Sequence, residues 1–192
     1  MTAVERLIRD IEVAFCSVKR GDGLTLHEAM AFEGTDYCTA GERARVRALD
    51  PATRWQDIPD CSLEECLDRW AFDEEGFRFH LPAFMRWYLR HPQELGLFRG
   101  GLLYALLSPS CSDVDDRALW ERSWDIYTLE QKRVIARFLE YVALEVPEHR
   151  QDAHMTRRFF WFKFSQQGAA PNGGPATQLG NSDVTEGPPS VS

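Results

Sequence analysis

The sequence of 192 residues lacks the patterns that mark several common classes of protein. Its five cysteines are an odd number and none are spaced as C-x-x-C, so no disulfide framework or thioredoxin-like motif is predicted. No run approaches the roughly 18 apolar residues that a membrane-spanning helix needs, and residues 1–12 carry charges instead of an apolar signal core. We therefore expect a cytoplasmic protein with reduced thiols and no membrane contact.

Positive charge is also scarce. The chain has 22 Lys and Arg against 30 Asp and Glu, a formal net charge of −8. An acidic protein repels nucleic-acid phosphates and anionic lipid headgroups, so we expect no nucleic acid among its partners. A hydrophobic fraction of 44% and an aromatic fraction of 12% are typical of a folded globule, and the length fits one domain.

Motifs for metal, phosphate and nucleophilic chemistry are missing as well. There is no G-x-S-x-G, no Ser-x-x-Lys and no glycine-rich phosphate loop. His27-Glu28 begins like the zinc motif H-E-x-x-H, but Ala31 stands where the second histidine would be. His149 and His154 are five residues apart, which puts them on different faces of a helix. We expect neither a metal nor a cofactor.

Helix signals, by contrast, recur along the chain. Capping-box spacings, in which a hydroxyl and a carboxylate or amide satisfy the first backbone N–H groups of a helix, occur at Thr2/Glu5, Thr25/Glu28, Thr39/Glu42, Ser62/Glu65 and Thr128/Gln131. The first helix carries apolar residues at helical spacing and closes at Gly21 and Gly23. The second ends at Gly34, and Asp50-Pro51 stops the third.

The aromatic stretch from Trp70 to His91 predicts the central element. Proline is accepted in the first turn of a helix but cannot continue one, so Pro82 and Pro92 bound a helix over Pro82–Arg90. That helix is apolar nearly all round, so other elements must cover it. Before it, acids at residues 73–75 favour a helical turn, although the alternation through Phe77–Leu81 also suits a short strand. We prefer the turn because no partner strand is visible.

Three other segments complete the prediction. Residues 54–60 run extended along the surface and dock Trp55 and Ile58. The apolar run Leu102–Leu107 is a buried helix or a buried strand, and helix is preferred in a helical chain. A last helix runs from Glu148 to about residue 161. The sequence thus predicts an all-α fold, a compact multi-helix single domain over residues 1–164, followed by a disordered Gly/Pro/Ser-rich tail over residues 165–192.

The order of these signals resembles a family of small bacterial proteins catalogued as a domain of unknown function. The resemblance rests on the core Gly76-Phe77-x-Phe79-x-Leu81-Pro82-Ala83-Phe84, with Trp55-x-Asp57-Ile58 before it and Leu129-Glu130-Gln131 after it. It covers residues 1 to about 162. It implies a helical fold in the bacterial cytosol, and no catalytic or binding residue comes with it.

Two functions from different classes remain open. The first is a non-enzymatic protein-interaction or regulatory domain. A helix at the end of a domain normally buries only one stripe of side chains. Here four consecutive residues, 159–162, are aromatic and point in every direction around the helix. A protein partner or a second copy of the chain would cover the rings that stay exposed. The candidates are Arg157, Arg158, Phe159, Phe160, Trp161 and Phe162. The helix could equally lie in a groove that buries them.

The second is a small hydrolase or transferase. Its catalytic candidates are His80, inside the aromatic centre, with Glu74 and Glu75, and its arginines are Arg78 and Arg86. A lone histidine among aromatic residues is more often part of the core than a catalyst. We therefore expect that the protein is not an enzyme.

Overall fold

Capping side chains set several helix starts among the described residues. The structure, a computed structural model, describes residues 1–31, 39–66, 72–91, 97–107 and 114–165. Four of the five predicted capping boxes are present, and they begin the first, second, third and eighth helices. The helices are α1 (Ala3–Ala14), α2 (Leu26–Ala31), α3 (Ala40–Arg47), α4 (Asp60–Glu65), α5 (Glu74–Arg90), α6 (Leu97–Leu106), α7 (Val114–Ser123), α8 (Leu129–Glu145), α9 (Arg150–Thr156) and α10 (Phe162–Ser165).

Every regular element among the described residues is helical, so the predicted all-α fold is confirmed. The run at residues 102–107 belongs to α6 and is helix, not strand, up to Leu106. The predicted end of α2 at Gly34 lies outside the described residues. So does the predicted tail over residues 165–192, except for its first residue, Ser165, which is the last residue of α10.

The central element is α5, but it is longer than the sequence predicts. It is continuous over Glu74–Arg90, so the prediction that Pro82 begins the helix was wrong. Asp73 is the actual N-cap, with its carboxylate accepting from the backbone N–H of Gly76 at 2.9 Å. An internal proline costs about 3 kcal/mol. Residues 79–89 are all buried, and burial on that scale outweighs one lost hydrogen bond.

Two predictions near Trp55 need correction. The segment is a 3₁₀ turn over Trp55–Asp57 and not extended. The predicted docking is confirmed, since Trp55 and Ile58 are buried and the Trp55 indole donates to the carbonyl of Phe15 at 2.9 Å. Helix α4 starts at Asp60 after the extended Pro59, not after Ser62, because the fixed φ of proline already sets the helix entry.

The C-terminal part is one irregular helical run in place of the single predicted helix. A 3₁₀ turn (Pro147–His149) leads into α9, and a π turn (Arg157–Trp161) joins α9 to α10. Helix α8 packs against both α9 and α1. The Trp161 indole donates to the carbonyl of Leu106 at 3.0 Å, which ties the end of the domain to α6.

Two glycines allow the loop before α2 to touch the first turn of α5. A Cβ on Gly23 would lie 2.4 Å from the backbone nitrogen of Gly76, and a Cβ on Gly76 would lie 2.6 Å from the carbonyl oxygen of Leu24. Real Cβ atoms do not approach backbone atoms that closely. The two backbones are therefore in direct contact because neither residue has a side chain.

We predict that Gly76→Ala destabilises the protein although the residue lies in a helix. Alanine normally stabilises a helix interior by about 1 kcal/mol over glycine. The clash with Leu24 should reverse the sign and lower the free energy of unfolding by about 1–3 kcal/mol. Urea denaturation measures the change. Gly41→Ala is the matched control, since a Cβ there meets nothing within 4 Å, and it should be stabilising. Equal effects of both substitutions would contradict the close contact.

Candidate functional site

A cavity of about 490 Å³ opens beside the N-terminal half of α5. Its apolar wall includes Leu26, Ile58 and Phe79. Its polar lining is contributed by separate parts of the chain and consists of Arg20, Asp50, Thr53, Asp57, Ser62 and His80. A volume of this size and a mostly apolar wall with a few polar groups are typical of small-molecule sites.

His80 is one of the residues that line this cavity. Its Nδ1 lies 2.7 Å from the carbonyl oxygen of Gly76, and because a carbonyl can only accept, Nδ1 carries the proton. The proton-free nitrogen is then Nε2. In the part of the chain that the structure describes, no protein group bonds to Nε2, and this atom is not sealed from solvent. Phe72 stacks on the ring at 4.8 Å and Phe79 meets it edge-on at 5.0 Å.

Burial keeps this imidazole uncharged. His80 is 1% exposed, and burial lowers its pKa from 6.5 to about 4, against the opposing effects of the Gly76 hydrogen bond and the charge of Asp50. At neutral pH the ring is therefore a neutral hydrogen-bond acceptor at Nε2.

Asp50 lies at the cavity with both carboxylate oxygens engaged. One oxygen accepts from the backbone N–H of His27 at 2.9 Å, and the other lies 2.8 Å from Nδ1 of the same residue. The carboxylate thus binds the first turn of α2. Because each oxygen already has a contact with His27, this group holds α2 in place and has only part of its accepting capacity left for a substrate.

Arg20 is the cationic group of the lining. Its Nη1 donates to the backbone carbonyl of Asp50 at 2.8 Å, and its guanidinium carbon lies 6.0 Å from the centre of the Phe79 ring. Burial, followed by the nearby charge of Arg47, lowers the pKa of Arg20. The side chain stays charged at physiological pH because the ordinary pKa of a guanidinium lies far above neutral pH.

A second, fully buried carboxylate lies behind the cavity. Glu28 is 0% exposed and pairs with Arg43 at 2.9 Å and with Arg47 at 2.8 Å. Burial opposes its ionisation, but the hydrogen bond from Thr25 and the two arginines outweigh burial, so the pKa of Glu28 lies below its usual value. Arg20 has no share in these ion pairs.

Of the catalytic candidates predicted from the sequence, only His80 lines the cavity. Glu74 and Glu75 are exposed in the first turn of α5 and are not part of the lining. Arg78 donates to Gln131 at 3.4 Å, and Arg86 donates to the carbonyl of Gln56 at 3.0 Å. The predicted group of a histidine, two glutamates and two arginines is therefore not assembled around this cavity.

Arg20 and Asp50 were missed by the sequence reasoning. Asp50 was interpreted as part of a helix stop, and Arg20 carried no motif. Their hydrogen bond spans 30 residues, and no local spacing predicts such a contact.

The candidate interaction residues at the C-terminus are divided between core and surface. Phe160 and Trp161 are buried, with Trp124 in contact with both rings. Phe162 is 47% exposed. Arg158 is exposed, and Arg157 is partly buried and forms an ion pair with Glu140 at 2.9 Å. The side chain of Phe159 lies outside the described part of the chain.

No group of three or more potential metal ligands lies together within residues 1–31, 39–66, 72–91, 97–107 and 114–165. Over the same ranges, no helix has the length and apolar character to cross a bilayer.

Comparison with protein families adds one finding. The model described as "Family of unknown function (DUF6714)" matches residues 3–164. The chain belongs to this family. The family resemblance expected from the sequence is confirmed, and the DUF6714 match includes every residue that lines the cavity. No curated protein and no solved structure matched. DUF6714 carries no assigned activity, so the candidate site depends on the geometry alone.

His80 should make the stability of the protein depend on pH. Its pKa is about 4 when folded and 6.5 when unfolded, so the unfolded state binds the proton more readily between these values. The stability contribution is complete above pH 6.5 and is lost as the pH falls toward 4. Each pKa unit corresponds to about 1.4 kcal/mol, so the loss approaches about 3 kcal/mol.

The measurement is urea denaturation from pH 4 to pH 8 of the wild type and His80→Asn. Asparagine can keep the donor to Gly76 but does not titrate. The wild type should lose stability relative to the variant below pH 6.5, and the two curves should run parallel above it. Parallel curves over the whole range would show that His80 is not buried in the neutral form.

Proposed function

We propose that this chain is a non-enzymatic regulatory domain of the bacterial cytosol that binds a small organic molecule in the His80 cavity. The observation that supports it is the uncharged His80, whose Nε2 is an acceptor beside apolar walls. An acceptor without a protein partner, placed beside apolar walls, favours a ligand that supplies the missing donor.

Binding is favoured over catalysis for two reasons. A general base works best with a pKa near the operating pH, and the pKa of His80 is about 4. In addition, both oxygens of the Asp50 carboxylate are occupied by His27. The hydrolase or transferase with Glu74 and Glu75 has less support, because both glutamates lie outside the cavity lining.

The proposal is tested by a fragment screen with a blocked cavity. Small aromatic and aliphatic compounds are screened by saturation-transfer NMR against the wild type and Ala52→Trp, whose indole would fill the space beside the lining residue Ala52. We expect a set of fragments that bind the wild type and not Ala52→Trp. His80→Asn should weaken those fragments that carry an N–H or O–H donor, because the acceptor at Nε2 is gone.

Ala118→Trp is the matched control, because Ala118 is exposed on α7 and is not part of the lining. It should keep all the fragments. Circular dichroism confirms that each variant is folded. The proposal is abandoned if no fragment distinguishes the blocked cavity from the control, or if the bound fragments are recovered chemically changed.

A second candidate is contact with a protein partner or a second copy through the terminal helix. Its support is a set of three exposed side chains at the end of the domain, here called the terminal face: Met155 on α9, Arg158 in the π turn and Phe162 on α10. Met155 and Phe162 are 44% and 47% exposed, which is unusual for two large apolar side chains so close in the chain.

Light scattering tests this second candidate with Phe162→Ser. If the terminal face forms a homodimer, the wild type has twice the monomer mass and the variant is a folded monomer. Val13→Ser, which removes an apolar side chain of 63% exposure on α1, should leave the dimer intact. A monomeric wild type, or a dimer in both variants, contradicts the homodimer. Trp161 is unsuitable for this test because it is fully buried.

A further inference from the structure

Arg20 has a hydrogen-bonding edge that the protein leaves open. A guanidinium is planar, and Nε and Nη2 donate in parallel from one edge, in the geometry that matches a carboxylate. The structure uses Nη1 for the Asp50 carbonyl. Among the described residues no acceptor bonds to Nε or Nη2, and neither atom is sealed from solvent. The open edge belongs to a residue that lines the cavity.

The charge of Arg20 is also not neutralised by a direct partner. The two nearby carboxylates are engaged elsewhere, that of Asp50 by His27 and that of Glu28 by Arg43 and Arg47. No carboxylate in the described ranges forms an ion pair with Arg20. Since a partly buried charge without a partner is costly, an anion bound on this edge would offset that cost.

We infer that the cavity takes a small monocarboxylate, with its carboxylate on the Nε/Nη2 edge of Arg20, an apolar body against Leu26, Ile58 and Phe79, and an O–H or N–H donor for His80 Nε2. This inference rests on the proposed binding function and names the chemical class of the ligand. It uses the open edge of Arg20 and Nε2 of His80 once each.

The charges of the lining disfavour a dianion on Arg20. Asp50 and Asp57 both lie at the cavity, and the side chain of Asp57 is 56% exposed. Two carboxylates beside one guanidinium repel a phosphate dianion more strongly than a carboxylate monoanion. The apolar wall favours an aryl or alkyl body, which a bare anion lacks.

Isothermal titration calorimetry on the full chain tests the class with matched probes. The acids are 4-hydroxybenzoate, 4-hydroxyphenylacetate and 3-(4-hydroxyphenyl)propionate, which cover different spans between the two polar groups. Each is compared with its primary amide, and tyramine is the cationic counterpart of similar shape. We expect at least one acid to bind about tenfold or more tightly than its amide, as a charge-assisted hydrogen bond requires. Tyramine should bind most weakly.

Arg20→Gln should reduce the affinity of that acid to that of its amide. Arg54→Gln is the control, because it also removes one positive charge near the cavity, but Arg54 is 61% exposed and does not line it. It should change the affinity of the acid by less than about threefold.

Three outcomes overturn the carboxylate assignment: the amide or tyramine binds as tightly as the acid, Arg20→Gln does not weaken the acid, or no probe of the panel binds. If the fragment screen finds other cavity ligands in that case, the binding function stands and only the ligand class is wrong. If the screen also finds none, both fail.

Discussion

One carboxylate oxygen organises the half of the molecule that contains the cavity. Oδ1 of Asp73 accepts from the backbone N–H of Gly76 at 2.9 Å and from that of Leu24 at 2.8 Å. The first bond starts the central helix, and the second docks the preceding loop onto it. The docked loop places Arg20 at the cavity, and the carbonyl of Gly76 orients His80. A single N-cap therefore positions both polar groups to which we assign ligand contacts.

The buried Glu28 and its partner Arg47 also hold the loop before α2 in place. Arg47 donates to the carbonyls of Gly21 and Gly23 at 2.9 Å and 3.0 Å while it pairs with Glu28. A buried ion pair adds little net stability once desolvation is counted, although removing one partner typically costs about 3–5 kcal/mol. The main effect of the Glu28–Arg47 pair is to fix the positions of α2, α3 and the loop relative to one another, because hydrogen bonds and ion pairs tolerate little displacement.

The limits of the sequence reasoning follow from the range of each interaction. Capping boxes join residues three apart, so the starts of α1, α2, α3 and α8 could be predicted. The helix start was wrongly predicted at Pro82. The energetic cost of a proline inside a helix can be judged from the sequence, whereas the burial that outweighs it depends on packing against distant elements. Of the site, His80 could be singled out from its aromatic neighbours. Arg20 could not, because its bond to Asp50 joins residues 30 apart.

Some contacts that complete the core join residues far apart in the chain, and this has a consequence for biosynthesis. Trp161 reaches back 55 residues to Leu106, and Gln131 on α8 donates to the carbonyl of Ala14 across 117 residues. The N-terminal helix can pack against α5 once α5 has been made, but its contact with α8 forms only later. The bond from Trp161 to α6 forms only when the end of the domain has been made. During that interval the surfaces of α1 and α6 that make these last contacts stay uncovered in the nascent chain. The core is therefore complete only after translation has passed the π turn (Arg157–Trp161).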